Sequence, residues 1–239
     1  MDTLLKTYSE VTIWIVSNQK FQSLFNHDSR VKFIGVNLNN SILQIYRQIK
    51  KVSNSINFNG VYDLHNVIRS KLIRFLLINK TQETRVYMKD RSRKKSIVKK
   101  KIKLTQLKHT SERYLDCLKK DFPEILFSNI PQSLSFNVKK QKIIGVAPFS
   151  SHSSKQWDLE NYEYIFKNYK DYKFIVFAFG NKEINLAKKS FIDKDQITII
   201  SKKKGITEQI NLINKCSVFI SMDSANMHLA SLTTTPVIS

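Results

Sequence analysis

The apolar positions of the chain fall into two rhythmic stretches separated by a basic, irregular middle. After a first helix predicted over Thr3–Tyr8, Val11–Ser17 (VTIWIVS) is an apolar run of strand length and Val31–Val36 (VKFIGV) is a second, with an amphipathic Asn18–Phe25 between them. Over Ser41–Val52, Ile42, Ile45, Tyr46 and Ile49 recur at helical spacing; over Val67–Ile78, Ile68, Leu72, Phe75 and Leu76 do the same. Val61–Leu64 and Thr84–Met88 read as short strands, and Thr105–Lys120 as a helix stopped at Phe122–Pro123.

From Lys142 the rhythm is more regular. Strands are predicted over Ile143–Ala147, Phe174–Phe179, Ile197–Ser201, Val218–Met222 and Pro236–Ser239. The helices between them are Leu159–Tyr169 with Asp158 as N-cap, Lys182–Phe191, Thr207–Asn214 behind its own cap, and Ala225–Leu232. Near-continuous apolar strands alternating with helices imply parallel sheets covered on both faces. The expected fold class is therefore α/β, with two Rossmann-like domains over residues 1–135 and 136–239. The chain starts inside a helix with no strand before it and stops inside a strand, so incompleteness at both ends is expected.

Charge changes this picture less than its size suggests. The net charge is +21, yet lysines are spread along the whole chain and only Lys89–Lys103 (KDRSRKKSIVKKKIK) is dense. Heavy use of Asn, Ile and Lys beside 5 Gly and 4 Pro fits an A/T-rich coding bias, so much of the charge sits on solvated faces. A positive surface favours sugar nucleotides, phosphorylated lipids or an anionic membrane face without choosing among them. Nucleic acid is the weaker reading, because the dense block has no interleaved aromatics and no nucleic-acid module is visible. No apolar run is long enough to span a membrane, and MDTLLKTYSEV has no secretory pattern. Cys117 and Cys216 match no metal spacing and fit buried thiols in a reducing cytoplasm. No two histidines pair at helical spacing, so no metal site is expected.

Ligands of open α/β sheets bind at loops after the carboxyl ends of strands, and three such loops are polar. Ala147–Trp157 (APFSSHSSKQW) carries the Ser150, Ser151, Ser153 and Ser154 hydroxyls and Lys155, a set suited to a diphosphate as well as to an ordinary turn; it lacks the glycines of a P-loop. Ser221–Ala230 (SMDSANMHLA) brings Asp223, Ser224, Asn226 and His228 to a strand–helix turn, where Asp223 could equally cap the helix and His228 be a plain helix histidine. Tyr62–Leu72 (YDLHNVIRSKL) ends a strand at Asp63 and His65 and adds Arg69 and Lys71, which suits an anionic acceptor or a solvated helix start. Asp193-Lys194-Asp195 spells an Asp-x-Asp metal motif, but it falls in a helix-to-strand turn and reads as solvated.

Those loops carry a resemblance. GVAPFSSHSSKQWDLENY resembles the start of the nucleotide domain in glycosyltransferase family 9, the ADP-heptose:lipopolysaccharide heptosyltransferases. ISMDSANMHLASLTTTPVIS is similar to that family's closing signature, an Asp-Ser/Thr run through His-Leu-Ala before Gly-Thr-Pro-Val. VYDLHNVIRSKLIRFLL resembles the acceptor-domain segment of members common among Bacteroidetes, and HTSERY (His109–Tyr114) agrees with that group. The resemblance covers essentially the whole chain.

It implies a GT-B architecture, two Rossmann-like domains facing one another across the active site. It implies a cytoplasmic, metal-independent and inverting transferase, peripheral at the inner face of the inner membrane and monomeric, with no cofactor. Its partners would be ADP-heptose or a similar nucleotide sugar and a lipid A–Kdo type acceptor. By the same resemblance Ser150, Ser151, Ser153, Ser154 and Lys155 would hold the diphosphate, and Asp223, Ser224, Asn226 and His228 would line the donor site. Glu183 and Glu208 match acidic positions on the nucleotide side, and Asp63, His65, Asn66 and Arg69 would face the acceptor. The family's general-base aspartate would fall ahead of Met1, which predicts an inactive chain or the core of a longer enzyme. The family's paired glycine is Gly180-Asn181 here, and Thr233-Thr234-Thr235 replaces its Gly-Thr before Pro236, which predicts strain at a turn needing positive φ. The alternatives are a family-9 transferase with another nucleotide sugar, a decayed pseudoenzyme, and a basic nucleic-acid-binding protein.

Overall fold

In a computed structural model, residues 1–37, 40–77, 81–126, 138–191, 195–201 and 205–239 are described. They form two compact units, Met1–Asn129 and Ile130–Ser239.

Unit 1 opens with helix α1 (Asp2–Thr7), which buries Leu4 and Leu5. Strand β1 (Ile13–Asn18) passes directly into a 3-10 segment over Gln19–Phe25, which begins where the Asn18 side chain accepts the Lys20 N–H. Strand β2 (Val31–Val36) follows, and helix α2 (Ile42–Ser53) starts in a capping box between Ser41 and Gln44. Next come β3 (Phe58–Asp63), α3 (Ile68–Leu77), β4 (Thr81–Val86), α4 (Arg91–Val98) and α5 (Thr110–Leu118). The strands pair in parallel as β1–β2 and β3–β4, two separate sheets, and among the described residues no pairing joins β1 to β3. One apolar cluster still serves both pairs: Val36, Ile45, Ile49 and Leu77, with Val16, Phe58, Val61 and Ile73 against it. The Trp14 ring meets Phe58 edge-on at 6.3 Å.

Two expectations are corrected in this unit. The basic middle is not wholly irregular, because it contains α4, a helix none of whose side chains is buried and which hydrophobic spacing therefore cannot reveal. The helix expected from Thr105 begins only at Thr110, where His109 and Glu112 make a capping box; Leu104 and Leu107 mimic helical spacing ahead of it.

Unit 2 runs β5 (Gln141–Ala147), α6 (Tyr162–Asn168), β6 (Lys173–Phe177), α7 (Asn181–Ser190), β7 (Ile197–Ile200), α8 (Ile206–Lys215), β8 (Cys216–Ser221), α9 (Ala225–Ala230) and β9 (Val237–Ile238). These strands make one parallel five-stranded sheet in the order β7-β6-β5-β8-β9. Alternation within the strands feeds a separate core on each face. Ile144, Val146, Phe174 and Val176 pack with Tyr162, Phe166, Ala187 and Phe191 of the α6–α7 face. Ala147, Phe177 and Phe219 pack with Ile213 and Ala230 of the α8–α9 face. Gly145 sits opposite Phe219, and a Cβ there would lie 2.4 Å from the ring, so close strand packing requires the glycine.

The strain expected at Thr233–Thr235 is not found. None of the three has positive φ, and their hydroxyls are used instead. Thr233 Oγ1 donates to Ala230 O at 2.8 Å, Thr234 Oγ1 to Asn214 Oδ1 at 3.2 Å, and Thr235 Oγ1 to Ile213 O at 2.8 Å. Lys140 Nζ joins this knot, donating to Thr235 Oγ1 at 2.6 Å and Asn214 O at 2.8 Å, and burial pulls its pKa below the usual lysine range. One expected cap is also unmade, and one buried hydroxyl is left over. Asp158 forms no side-chain cap bond before its 3-10 turn, and the Thr207 hydroxyl is buried without a hydrogen-bond partner one residue inside α8.

Candidate functional site

In unit 2, β6 and β7 extend the sheet on one side of β5, while β8 and β9 extend it on the other. The winding therefore reverses between β5 and β8, and loops leaving the carboxyl ends of two such strands diverge and open a crevice. The register Ala147↔Ser221 brings those ends level. The ladder continues one residue further, with Met222 N–H donating to Ala147 O at 3.2 Å. Trp157 N–H then donates to Met222 Sδ at 3.2 Å, tying the first loop to the second strand end. Trp157 also meets the buried Tyr162 ring edge-on at 5.0 Å.

The two loops meet through their charges. Lys155 Nζ donates to the Asp223 carboxylate across 68 residues of sequence, with both side chains about half exposed. The Lys155 hydrogen bond, then its charge, and to a lesser degree the charge of His228, hold the Asp223 carboxyl below the usual carboxylate range. Asp223 is thus no helix cap. That place is taken by Ser224, whose side chain makes no cap bond and whose Oγ lies 3.4 Å from Ser221 Oγ. Asn226 is half-buried and His228 exposed on α9. In the first loop Ser150 Oγ donates to His152 O at 2.6 Å and accepts His152 N–H at 3.2 Å. Ser151 is exposed, and Ser153, Ser154 and Lys155 form an exposed 3-10 turn.

Glu183 and Glu208 stand at the same edge of the sheet, after β6 and β7, but each is bonded to its own helix start. Glu183 Oε2 accepts Phe179 N–H at 2.9 Å around Gly180, whose φ of 88° is the left-handed conformation that glycine tolerates. Glu208 Oε2 accepts Gly205 N–H at 3.1 Å.

The unit 1 candidates separate by role. The Asp63 carboxylate is buried and closes the β3–α3 turn: Oδ1 accepts the N–H groups of His65 at 3.0 Å and Asn66 at 2.7 Å, and Oδ2 accepts Ser70 Oγ at 3.0 Å. Arg74 Nη1 lies 3.7 Å from it. Asn66 takes a left-handed φ of 47° and donates through Nδ2 to Tyr87 O at 3.1 Å. His65 and Arg69 are exposed. Of the Asp-x-Asp triplet, Asp193 and Lys194 lie outside the described residues.

The crevice of unit 2 therefore offers one ammonium, several hydroxyls and a carboxylate that an anionic ligand would displace from the ammonium. Sequence reasoning overlooked Met222 and Trp157, which lock the two loops together. No local pattern marks a strand-end methionine for that work.

A family model described as glycosyltransferase family 9 (heptosyltransferase) matches residues 47–239. No curated protein matches the chain significantly in sequence. Among solved structures, the chain resembles a glycosyl transferase family 9 protein from Veillonella parvula DSM 2008 at 15% identity and a TM-score of 0.74, covering 99% of this chain and 73% of that one. It resembles E. coli heptosyltransferase WaaC with ADP at 12% identity and a TM-score of 0.73, over 98% of this chain and 79% of that one. It resembles E. coli ADP-heptose lps heptosyltransferase II at 14% identity and a TM-score of 0.67, over 98% and 77%. At such identities the likeness is one of fold: GT-B type, with two Rossmann-like units and parallel sheets.

Proposed function

The chain belongs to glycosyltransferase family 9, and on that premise we propose that it transfers a heptose from ADP-heptose to the inner core of lipopolysaccharide, inverting the anomeric carbon without a metal ion. In that reaction an acceptor hydroxyl oxygen attacks the anomeric carbon as its bond to the diphosphate breaks. ADP leaves with the electron pair, and the hydroxyl proton passes to a base. The observation that carries the reading is the Lys155–Asp223 pair at the reversal point between β5 and β8.

Lys155, with Ser150, Ser151, Ser153 and Ser154, takes the diphosphate and stabilises the charge that develops on it. Displaced from Lys155, Asp223 turns to the sugar, beside Ser224, Asn226 and His228. Glu183 and Glu208 act through the turns they hold, with a ribose contact open to either. On the acceptor side His65 and Arg69 supply exposed polar and cationic groups, and Asp63 and Asn66 fix the turn that presents them. The acceptor is a phosphorylated lipid at the cytoplasmic face of a membrane. Among the described residues no helix is long and apolar enough to cross one.

Calorimetry with ADP and ADP-heptose tests this. Lys155→Ala is expected to weaken both ligands by about 10–100-fold, the worth of one or two charge-assisted hydrogen bonds. Asp223→Ala is expected to weaken ADP-heptose more than ADP. A folded chain that binds neither ligand, or a Lys155→Ala variant that binds as the parent does, sinks the reading and leaves a relic of the family. Tighter binding of a different nucleotide sugar would move the donor within the family.

A further inference from the structure

The basic block of unit 1 is the densest run of like charge in the chain. Between Lys89 and Lys103 stand nine Lys and Arg residues against the single acid Asp90. A few cations elsewhere sit on carboxylates, as in Arg30–Asp28, Arg85–Asp121, Lys108–Asp116 and Lys167–Glu163. Among the described residues no ion pair involves the nine. Their fields add, and Arg93 Nη2 donates at 3.4 Å only to the neutral Thr105 hydroxyl, which leaves its charge unspent.

The block is also a defined element. Helix α4 lies between two left-handed residues, Asp90 at φ 49° and Lys100 at φ 53°. Its end is closed by Lys100 N–H to Ile97 O and Lys101 N–H to Ser96 O, both 2.9 Å, the pair of bonds that usually forms around a glycine. An eight-residue helix that buries no side chain has little to hold it in water. What the helix and its flanks present outward besides charge is aliphatic: Met88 before it is 73% exposed, Val98 at its end 80% and Leu104 after it 89%. Lys71 of α3 shares an open cavity of about 340 Å³ with Met88, Lys89 and Arg91, so α3 continues the same face. Ile68 and Phe75, three residues before and four after Lys71 on that helix, are exposed as well.

Cations interleaved with exposed apolar tips along one segment identify a partner surface that is anionic outside and hydrocarbon beneath. We propose that the face made by α3 and the Met88–Leu104 segment docks unit 1 on an anionic phospholipid bilayer. Lysines and arginines meet the headgroups, while Met88, Val98, Ile102 and Leu104 reach the acyl boundary. A nucleic acid would satisfy the charge but has no use for the aliphatics. Binding a single strand calls for several flat rings to stack successive bases; α3 offers Phe75 alone, and Met88–Leu104 contains no aromatic residue. The proposal concerns a surface apart from the Lys155–Asp223 crevice and does not rest on the transfer reaction.

The test is co-sedimentation of the full chain with vesicles of phosphatidylcholine alone and of phosphatidylcholine with phosphatidylglycerol. Binding is expected only to the anionic vesicles and is expected to fall with salt. Each cation at such a surface contributes about fivefold, so Lys94→Gln, Lys95→Gln, Lys99→Gln and Lys101→Gln together should weaken binding by about 100-fold or more. Val98→Ser with Leu104→Ser should weaken it about tenfold, with circular dichroism and melting temperature kept in both variants. Lys155→Ala should bind vesicles as the parent does, which separates this proposal from the donor site. The proposal is overturned if the chain ignores anionic vesicles at low salt, or if the four-lysine variant binds them unchanged. It is also overturned if the Val98→Ser, Leu104→Ser variant binds unchanged while single-stranded RNA displaces the vesicles, an outcome that would assign the face to nucleic acid.

Discussion

Among the described residues, unit 2 closes one five-stranded parallel sheet between two apolar clusters, whereas unit 1 pairs its strands two by two around a single smaller cluster. The difference shows in the strands themselves. β5 is bonded along both edges and is fully buried over its last four residues, while β1 is only half-buried at every position. A strand with two neighbours and a helix layer on each face keeps its end fixed, and a loop springing from it inherits that precision. The Lys155–Asp223 crevice stands on such ends. The Asp63 turn of unit 1 stands on a strand with one bonded neighbour among the described residues and gains its definition from side chains instead, Asp63 and Asn66 above all. Where the backbone scaffold is thinner, buried polar side chains carry more of the shape.

The largest effect expected from this contrast is in the cores. Phe219→Ala removes a fully buried ring that meets Phe177 at 5.3 Å and is expected to cost unit 2 about 3–5 kcal/mol. Phe58→Ala removes a partly buried ring of unit 1 and is expected to cost less than about 2 kcal/mol. Guanidinium unfolding curves of the two variants measure both, and equal losses would erase the contrast. A middle-sized effect belongs to the polar knot of unit 2. Asn214 is fully buried and its Oδ1 accepts from Thr234, so Asn214→Ala is expected to cost about 1–3 kcal/mol, with urea titration showing unit 1 unaffected. The smallest effect per step is one of pH. Burial pushes the Cys216 thiol up to about 12 from 9.0, with Lys140 opposing. The unfolded thiol ionises first, so stabilisation present below pH 9 drains away as pH rises toward 12. The loss is at most about 1.4 kcal/mol per pH unit. Melting curves across that range should fall more shallowly for Cys216→Ala than for the parent, and parallel slopes would remove Cys216 from the account.

Much of the architecture was legible because unit 2 writes its strands as apolar runs: Ile143–Ala147 and Val218–Met222 differ from β5 and β8 by no more than two residues at either end. The starts of β3 and β4 were missed because Phe58-Asn59-Gly60 and Thr81-Gln82-Glu83 are mostly small or polar, and only the partner strand makes them extended. Strand pairing itself is not local information, so nothing in the rhythm of unit 1 revealed two sheets. The loops of the candidate site were visible by composition, but the roles within them were not. An acid at a strand end can cap, close a turn or face a ligand, and only the structure separates Asp63, tied to its own turn, from Asp223, reaching across to Lys155.

The chain's 2 tryptophans fall one to a unit, Trp14 against Phe58 and Trp157 against Tyr162. That placement gives the molecule two native fluorophores with separate duties. The indole of Trp157 is 43% exposed, two residues from Lys155, and its backbone is bonded to Met222 at the mouth of the crevice. Its emission colour and quenching by iodide therefore report on whatever fills that mouth, while the indole of Trp14 reports on the integrity of the thinner unit. Occupancy and loosening, indistinguishable in a bulk heat signal, become two spectral signals from one unlabelled chain.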